Sequence, residues 1–201
     1  MLEHIVIGAG LAFAAAGQPG PLQAFLLSRV AAVGWRRTLP AALAPVISDG
    51  PIAVLVLTVL HQFARGFEGV LRGVGGVALL YFAAKTFLEW RRAGLANTPE
   101  STSAPRTLRQ AVVVNALNPG PYLGWSLILG PLALEAWARS PANAIALVAS
   151  FYLVMTLGLA LFIILLGTTS FLGPRGRRGL LLASSLALAG LGVYWFYSLL
   201  G

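Results

Sequence analysis

The chain has 201 residues, 58% of them hydrophobic and 10% charged, with a mean hydropathy of +0.82. A water-soluble domain carries about 25% charged residues, so this composition argues against soluble enzymes, coiled coils, disordered chains and large extramembrane domains. It reads as an all-α integral membrane protein. The net charge of +8 would suggest nucleic-acid binding in a soluble protein. Cytoplasmic loops of membrane proteins collect Lys and Arg, so no nucleic-acid partner is expected here. With no cysteine, and only His4 and His61, the chain offers no disulfide, no thiolate site and no histidine-rich metal centre. No cofactor is expected.

Segments poor in Asp, Glu, Lys and Arg mark six spans. The first covers 5–28; Glu3 precedes it in place of a basic stretch, and it reads as a retained span, not a signal peptide. The second, 38–60, is interrupted by Asp49, and the third, 69–88, carries Arg72 and Lys85 near its ends, where long basic side chains snorkel. A hydrophilic stretch, 91–109, holds Pro99 and Pro105 and is the one linker-like region. The fourth span is 110–134, the fifth lies within 140–174 and the sixth is 179–201. Each is long enough to cross a hydrocarbon layer of ~30 Å as a helix, and none shows the period-two alternation of a membrane barrel.

The loop charges give an orientation. Arg29, Arg36 and Arg37 fall in the 1–2 loop, Lys85, Arg91, Arg92, Arg106 and Arg109 in or beside the 3–4 loop, and Arg175, Arg177 and Arg178 in the 5–6 loop. The opposite loops offer Arg65, Arg72 and Arg139. The positive-inside rule then places both termini outside. The spacings Glu68/Arg72 and Lys85/Glu89 suit i,i+4 pairs. Gly69, Gly73 and Gly76 form a small-residue face suited to close packing, within the chain or in a homodimer. Tyr194, Trp195 and Tyr197 read as an interfacial aromatic belt.

Two passages match across the chain: Gln18-Pro19-Gly20-Pro21 in the first span and Asn118-Pro119-Gly120-Pro121 in the fourth. If residues 1–90 and 110–201 are equivalent three-helix units joined by a cytoplasmic linker at 91–109, each crosses the membrane an odd number of times. The second must then be inverted, as in many transporters whose substrate sits between the repeats. Pro-Gly-Pro breaks a helix, and the freed backbone groups must face protein, water or a ligand. Helices 1 and 4 are therefore expected to be broken. A restarting half-helix suits a carboxylate, and carbonyls at the end of the preceding half suit an ammonium group or a cation. Packing kinks satisfied by neighbouring helices are the plainer account. Gln18, Gln23, Asn115 and Asn118 flank the breaks and suit either cavity lining or interhelical hydrogen bonding.

Asp49 is the one acid near the middle of a span. A lone charge there is costly, so it is expected to bind a cationic group or a transported proton. Structurally, Ser48 or Asp49 would instead cap a helix restarting at Pro51. The position 100 residues further on is Ala149, which suggests one coupling site for the pair of repeats. Tyr152 and Thr156 are candidate wall residues. No Ser–His pairing or two-His-plus-acid cluster within a span marks an enzyme.

Several of these motifs resemble the LysE/RhtB family of amino-acid exporters. They are Pro19-Gly20-Pro21 with Leu26-Leu27-Ser28-Arg29, Gly34-Trp35-Arg36-Arg37, Asp49, Arg109-Gln110-Ala111, Asn115 and Asn118-Pro119. Leu22, Pro45, Ser48 and Gly120-Pro121 depart from that family's pattern. The resemblance implies a protein of the prokaryotic inner membrane that exports amino acids or related small zwitterionic or cationic metabolites, with protons as the counter-ion and by alternating access. A cation exporter of the same superfamily is the alternative. The resemblance carries over Pro19-Gly20-Pro21, Asp49 and Asn118-Pro119 as site positions; with Gln18, Gln23, Asn115, Gly120 and Pro121, read from the breaks themselves, they make up the candidate substrate or ion site.

Overall fold

The computed structural model describes residues 1–18, 20–56, 64–92, 103–168 and 174–197. Among them every regular element is helical: α1 (Leu2–Gly17), α2 (Pro21–Val33), α3 (Trp35–Thr38), α4 (Ala44–Leu55), α5 (Ala64–Arg92), α6 (Ala104–Ala116), α7 (Pro119–Gly124), α8 (Gly130–Arg139), α9 (Pro141–Thr168) and α10 (Pro174–Tyr197). A tight 3-10 segment, Leu39–Leu43, joins α3 to α4, and a wide π turn, Trp125–Leu129, joins α7 to α8.

Both expected interruptions are present. α1 ends at Gly17 and α2 begins at Pro21, bent by 60° from it. α6 ends at Ala116, and Asn118 is extended before α7 starts at Pro119. Trp35–Leu55 and Pro141–Thr168 are long and apolar enough to cross a membrane, and the bent pair α1–α2 makes a third candidate span. Leu181–Tyr197 is apolar but shorter.

α2 lies at the centre. Its buried residues occupy every side of the helix, which marks an enclosed helix rather than an amphipathic one. Phe25, Leu26 and Val30 pack in the main core with Leu79, Phe82, Val114, Leu159 and Leu188 from the surrounding helices. Gly34, at φ +85, ends α2 in a left-handed conformation that glycine adopts without a Cβ penalty.

The outer helices pair closely through glycines. On Gly8 a Cβ would strike the Leu147 carbonyl and the Ser150 hydroxyl, and on Gly158 it would lie 3.0 Å from Ala16, so α1 and α9 run parallel. α5 and α10 run antiparallel: Gly76 meets Gly192 and Phe196, the Ser185 hydroxyl donates to the Ala83 carbonyl at 3.0 Å, and Arg178 covers the Trp90 ring. Gly76 thus serves internal packing. α6 packs against α4 and the 3-10 segment. On α9, Leu153, Leu157, Leu161 and Leu165 form an exposed stripe at four-residue spacing, the kind of apolar surface that a bilayer covers.

Two expectations are corrected. Arg29 is not a loop residue: it is 2% exposed within α2, and its Nη2 donates to both Glu89 carboxylate oxygens of α5 at 2.6 and 2.7 Å. A guanidinium inside an apolar bundle requires such a partner. Glu89, 60 residues away in sequence, thus bonds across to α2. Trp195 is buried in the core, while Tyr194 and Tyr197 are exposed. Glu68, Arg72, His61 and the 93–102 part of the linker lie where the structure does not describe the side chains. Replacing Glu89→Gln removes the charge that balances Arg29 and should lower stability by about 3–5 kcal/mol. Thermal unfolding in detergent measures this, and the double change Arg29→Met/Glu89→Leu should recover most of the loss.

Candidate functional site

Asp49 and Ser48 lie inside α4, which runs on without a break through Pro51. Asp49 therefore caps no restarting helix, and its carboxylate points sideways into a buried polar cluster. Asn115, in the last turn of α6, supplies its amide. Nδ2 donates to Asp49 Oδ1 at 2.8 Å and to Ser48 Oγ at 2.7 Å. The amide orientation follows from the chemistry, because an ionised carboxylate only accepts. The Ser48 hydroxyl lies 2.9 Å from the Ala44 carbonyl, its shortest acceptor, and 3.1 Å from Oδ1.

The other carboxylate oxygen is bound from α9. The Tyr152 hydroxyl donates to Oδ2 at 3.2 Å and accepts from Trp125 Nε1 at 3.0 Å. Trp125 opens the π turn after the second helix break, and such wide turns are frequent at functional sites. Asp49 and Asn115 are each 4% exposed. Ser48, Tyr122 and Trp125 are buried too, and Tyr152 is half-buried. Among the described residues no cationic side chain pairs with Asp49; its partners are all neutral donors. Nor do three or more His, Asp or Glu side chains come together as metal ligands among those residues.

The backbone at the two breaks is satisfied in matching ways. Gln23 Nε2 reaches back from α2 to the Ala16 carbonyl at 3.3 Å. The Tyr122 hydroxyl reaches back from α7 to the Ala116 carbonyl at 2.8 Å. The Ala16 and Ala116 carbonyls are thus bonded by side chains, as the plainer account of satisfied kinks expects, and are not left to an ammonium group or a cation. Asn118 caps α7, its Oδ1 accepting from the Gly120 amide at 3.0 Å. Pro119 is buried, Pro121 half-buried and Gly120 exposed. At the first break Pro21 is buried, Gly20 half-buried and Gln18 exposed, while Pro19 lies outside the described residues.

Of the expected site residues, the structure thus joins Asp49 directly to Asn115, with the Asn118–Pro121 break starting within one turn. Hydrogen bonds from Gln23 stay at its own break. Ala149 is exposed on α9, and Tyr152 is the α9 residue that meets Asp49. Sequence reasoning does not single out Tyr122 or Trp125. Their only signal is aromatic character just beyond a break. Substituting Asn115→Ala leaves Oδ1 with Ser48 alone and should cost about 1–3 kcal/mol of stability. Asn118→Ala removes one exposed cap and should cost about 1 kcal/mol or less. Thermal unfolding of the two variants in detergent ranks them, and a smaller loss for Asn115→Ala would contradict its role.

No curated protein and no solved structure matched the chain. The family model for the LysE type translocator matches residues 13–199. That match takes in both helix breaks, Asp49, Asn115 and all of α2 to α10. With its translocator pattern and apolar helices, the chain is a membrane transporter and belongs to the LysE type translocator family.

Proposed function

We propose that this transporter exports amino acids or related small zwitterionic or cationic metabolites across the prokaryotic inner membrane, in exchange for protons and by alternating access. The observation that carries the reading is Asp49: a buried carboxylate among neutral donors. An uncompensated charge in a membrane protein's interior is costly. The group therefore suits a cargo that brings positive charge, either a substrate ammonium or a proton. Asn115 positions the carboxylate, and the interruptions before Pro21, with Gln18, Gly20 and Gln23 beside it, and before Pro119, at Asn118, provide irregular backbone where the halves rock. A cytoplasmic substrate places its ammonium on Asp49, the halves rock, and the substrate leaves outward. A proton then occupies the carboxyl and the chain resets.

The architecture in this proposal is six crossings in two inverted repeats, 1–90 and 110–201, joined by 91–109. The broken pair α1–α2 is the first crossing, α3–α4 the second, α5 the third, α6–α8 the fourth, α9 the fifth and α10 the sixth. Alternating crossings require the first and fifth to be parallel and the third and sixth antiparallel, as the pairs α1/α9 and α5/α10 are. Exchanging the halves maps the α1–α9 pair onto α6 and α4, which also pack together. The stitched carbonyls of Ala16 and Ala116 keep the same 100-residue offset as the Pro-Gly-Pro passages.

In the proposed orientation the basic loops are cytoplasmic and both termini outside. Residues 31–33 of α2, Trp90 of α5 and Leu181 of α10 pack together, which supports a common side for the loops they adjoin. Single cysteines are easily read because the chain has none. In whole cells, an impermeant thiol reagent should label a cysteine at Leu2 or Arg139 and leave one at Arg36 unlabelled. The reverse pattern would invert the topology.

Transport itself is tested in proteoliposomes. Losing a hydrogen bond to a charged group is worth about 1.5–3 kcal/mol, so Asp49→Asn should reduce proton-coupled amino-acid flux by about tenfold to a hundredfold. Unchanged coupled flux would remove Asp49 from the mechanism. Thermal stabilisation by divalent ions, with none by amino acids or polyamines, would favour the cation exporter instead.

A further inference from the structure

The two oxygens of Asp49 are held unequally. Oδ1 has Asn115 at 2.8 Å and Ser48 at 3.1 Å, both buried. Among the described residues Oδ2 has a single donor, the Tyr152 hydroxyl at 3.2 Å, the longest contact of the three. An arriving ammonium therefore finds its best acceptor at Oδ2, where it competes with the long bond from Tyr152.

The other bond of Tyr152 governs where a displaced hydroxyl can turn. Its oxygen accepts from Trp125 Nε1 at 3.0 Å, and the Phe151 ring meets its own ring edge to face at 5.1 Å. The oxygen stays in place while the O–H turns to a new acceptor. That acceptor must lie beside the ammonium, and in an amino acid the α-carboxylate is there. Tyr152 is also the half-buried member of the network, at its margin.

Building on the proposed role of Asp49, we propose that Tyr152 is the specificity residue of this site. It holds Oδ2 until a substrate ammonium takes that oxygen, and then donates its O–H to the substrate's carboxylate. Trp125 is a positioning residue that fixes the Tyr152 oxygen from the other side. The pair of Asp49 and Tyr152 thereby reads an ammonium and a carboxylate on the same carbon and discriminates against an amine without the acid.

The test uses the full chain in proteoliposomes and the common amino acids, each paired with the amine left after removing its carboxyl group. Tyr152→Phe keeps the ring and loses the hydroxyl. It should raise KM about tenfold for transported amino acids, leave KM for the matching amines equal or lower, and change kcat little. Trp125→Phe should shift the amino-acid-to-amine ratio in the same direction by less, and should add nothing in the Tyr152→Phe background. It also serves as the readout if Tyr152→Phe fails to fold. Equal effects of these changes on amino acids and amines, or no effect, would overturn the role of Tyr152. If Asp49→Asn reduces transport about tenfold or more while those effects are equal, only this assignment fails. If Asp49→Asn leaves transport intact, or the parent protein moves no member of the panel, the transport reading fails and this assignment with it.

Discussion

The bond from Asn115 to Asp49 is the constraint on which the rest of the site depends. A carboxylate withdrawn from water must be surrounded by donors, and in an apolar bundle these come only from chosen side chains. Ser48 is on the same helix, but Asn115 belongs to α6 and Tyr152 to α9. One carboxylate therefore fixes three helices in relation to one another, and through Trp125 it also reaches the π turn beyond the second break. The donors are all neutral, so the arrangement solvates the charge without cancelling it.

The helix breaks solve a related problem. Interrupting a helix within an apolar environment exposes carbonyls and amides that hydrocarbon does not satisfy. The chain closes each gap with a side chain from the far half-helix, an amide at Gln23 and a phenol at Tyr122. A side-chain hydrogen bond between helices is worth about 1 kcal/mol, far less than a turn of continuous helix. The breaks are thus held in register and remain easy to bend. The enclosed helix α2 gains its rigidity elsewhere, from the Arg29–Glu89 ion pair and from Phe25 packed against Phe82.

How much of this is legible in the sequence depends on how local each signal is. Pro-Gly-Pro dictates a break through sterics and a missing donor within a few residues, and both breaks are legible; the first half-helix restarts at Pro21 as expected, but the second restarts at Pro119 and takes its Pro-Gly-Pro into the first turn of α7. Asp49 stands out because one charge in a long apolar run has few structural explanations, and Asn115 because an amide lies next to a break. Arg29 misleads: a basic residue at the end of an apolar run looks like a loop charge until its partner is known, and Glu89 is 60 residues away. Trp125 and Tyr152 meet only because a π turn and the packing of α9 bring them together. Neither feature has a local signature.

α9 carries two kinds of residue side by side. Tyr152 faces the carboxylate, and Leu153, the next residue, begins the exposed stripe that continues through Leu157, Leu161 and Leu165. The residue that binds the carboxylate and the residue that begins the apolar stripe are thus neighbours on one helix. Bilayer thickness and lateral pressure thus act on the same rigid rod that holds the Tyr152 oxygen. The lipid environment becomes part of the site's mechanical setting, with no intervening loop to absorb its changes.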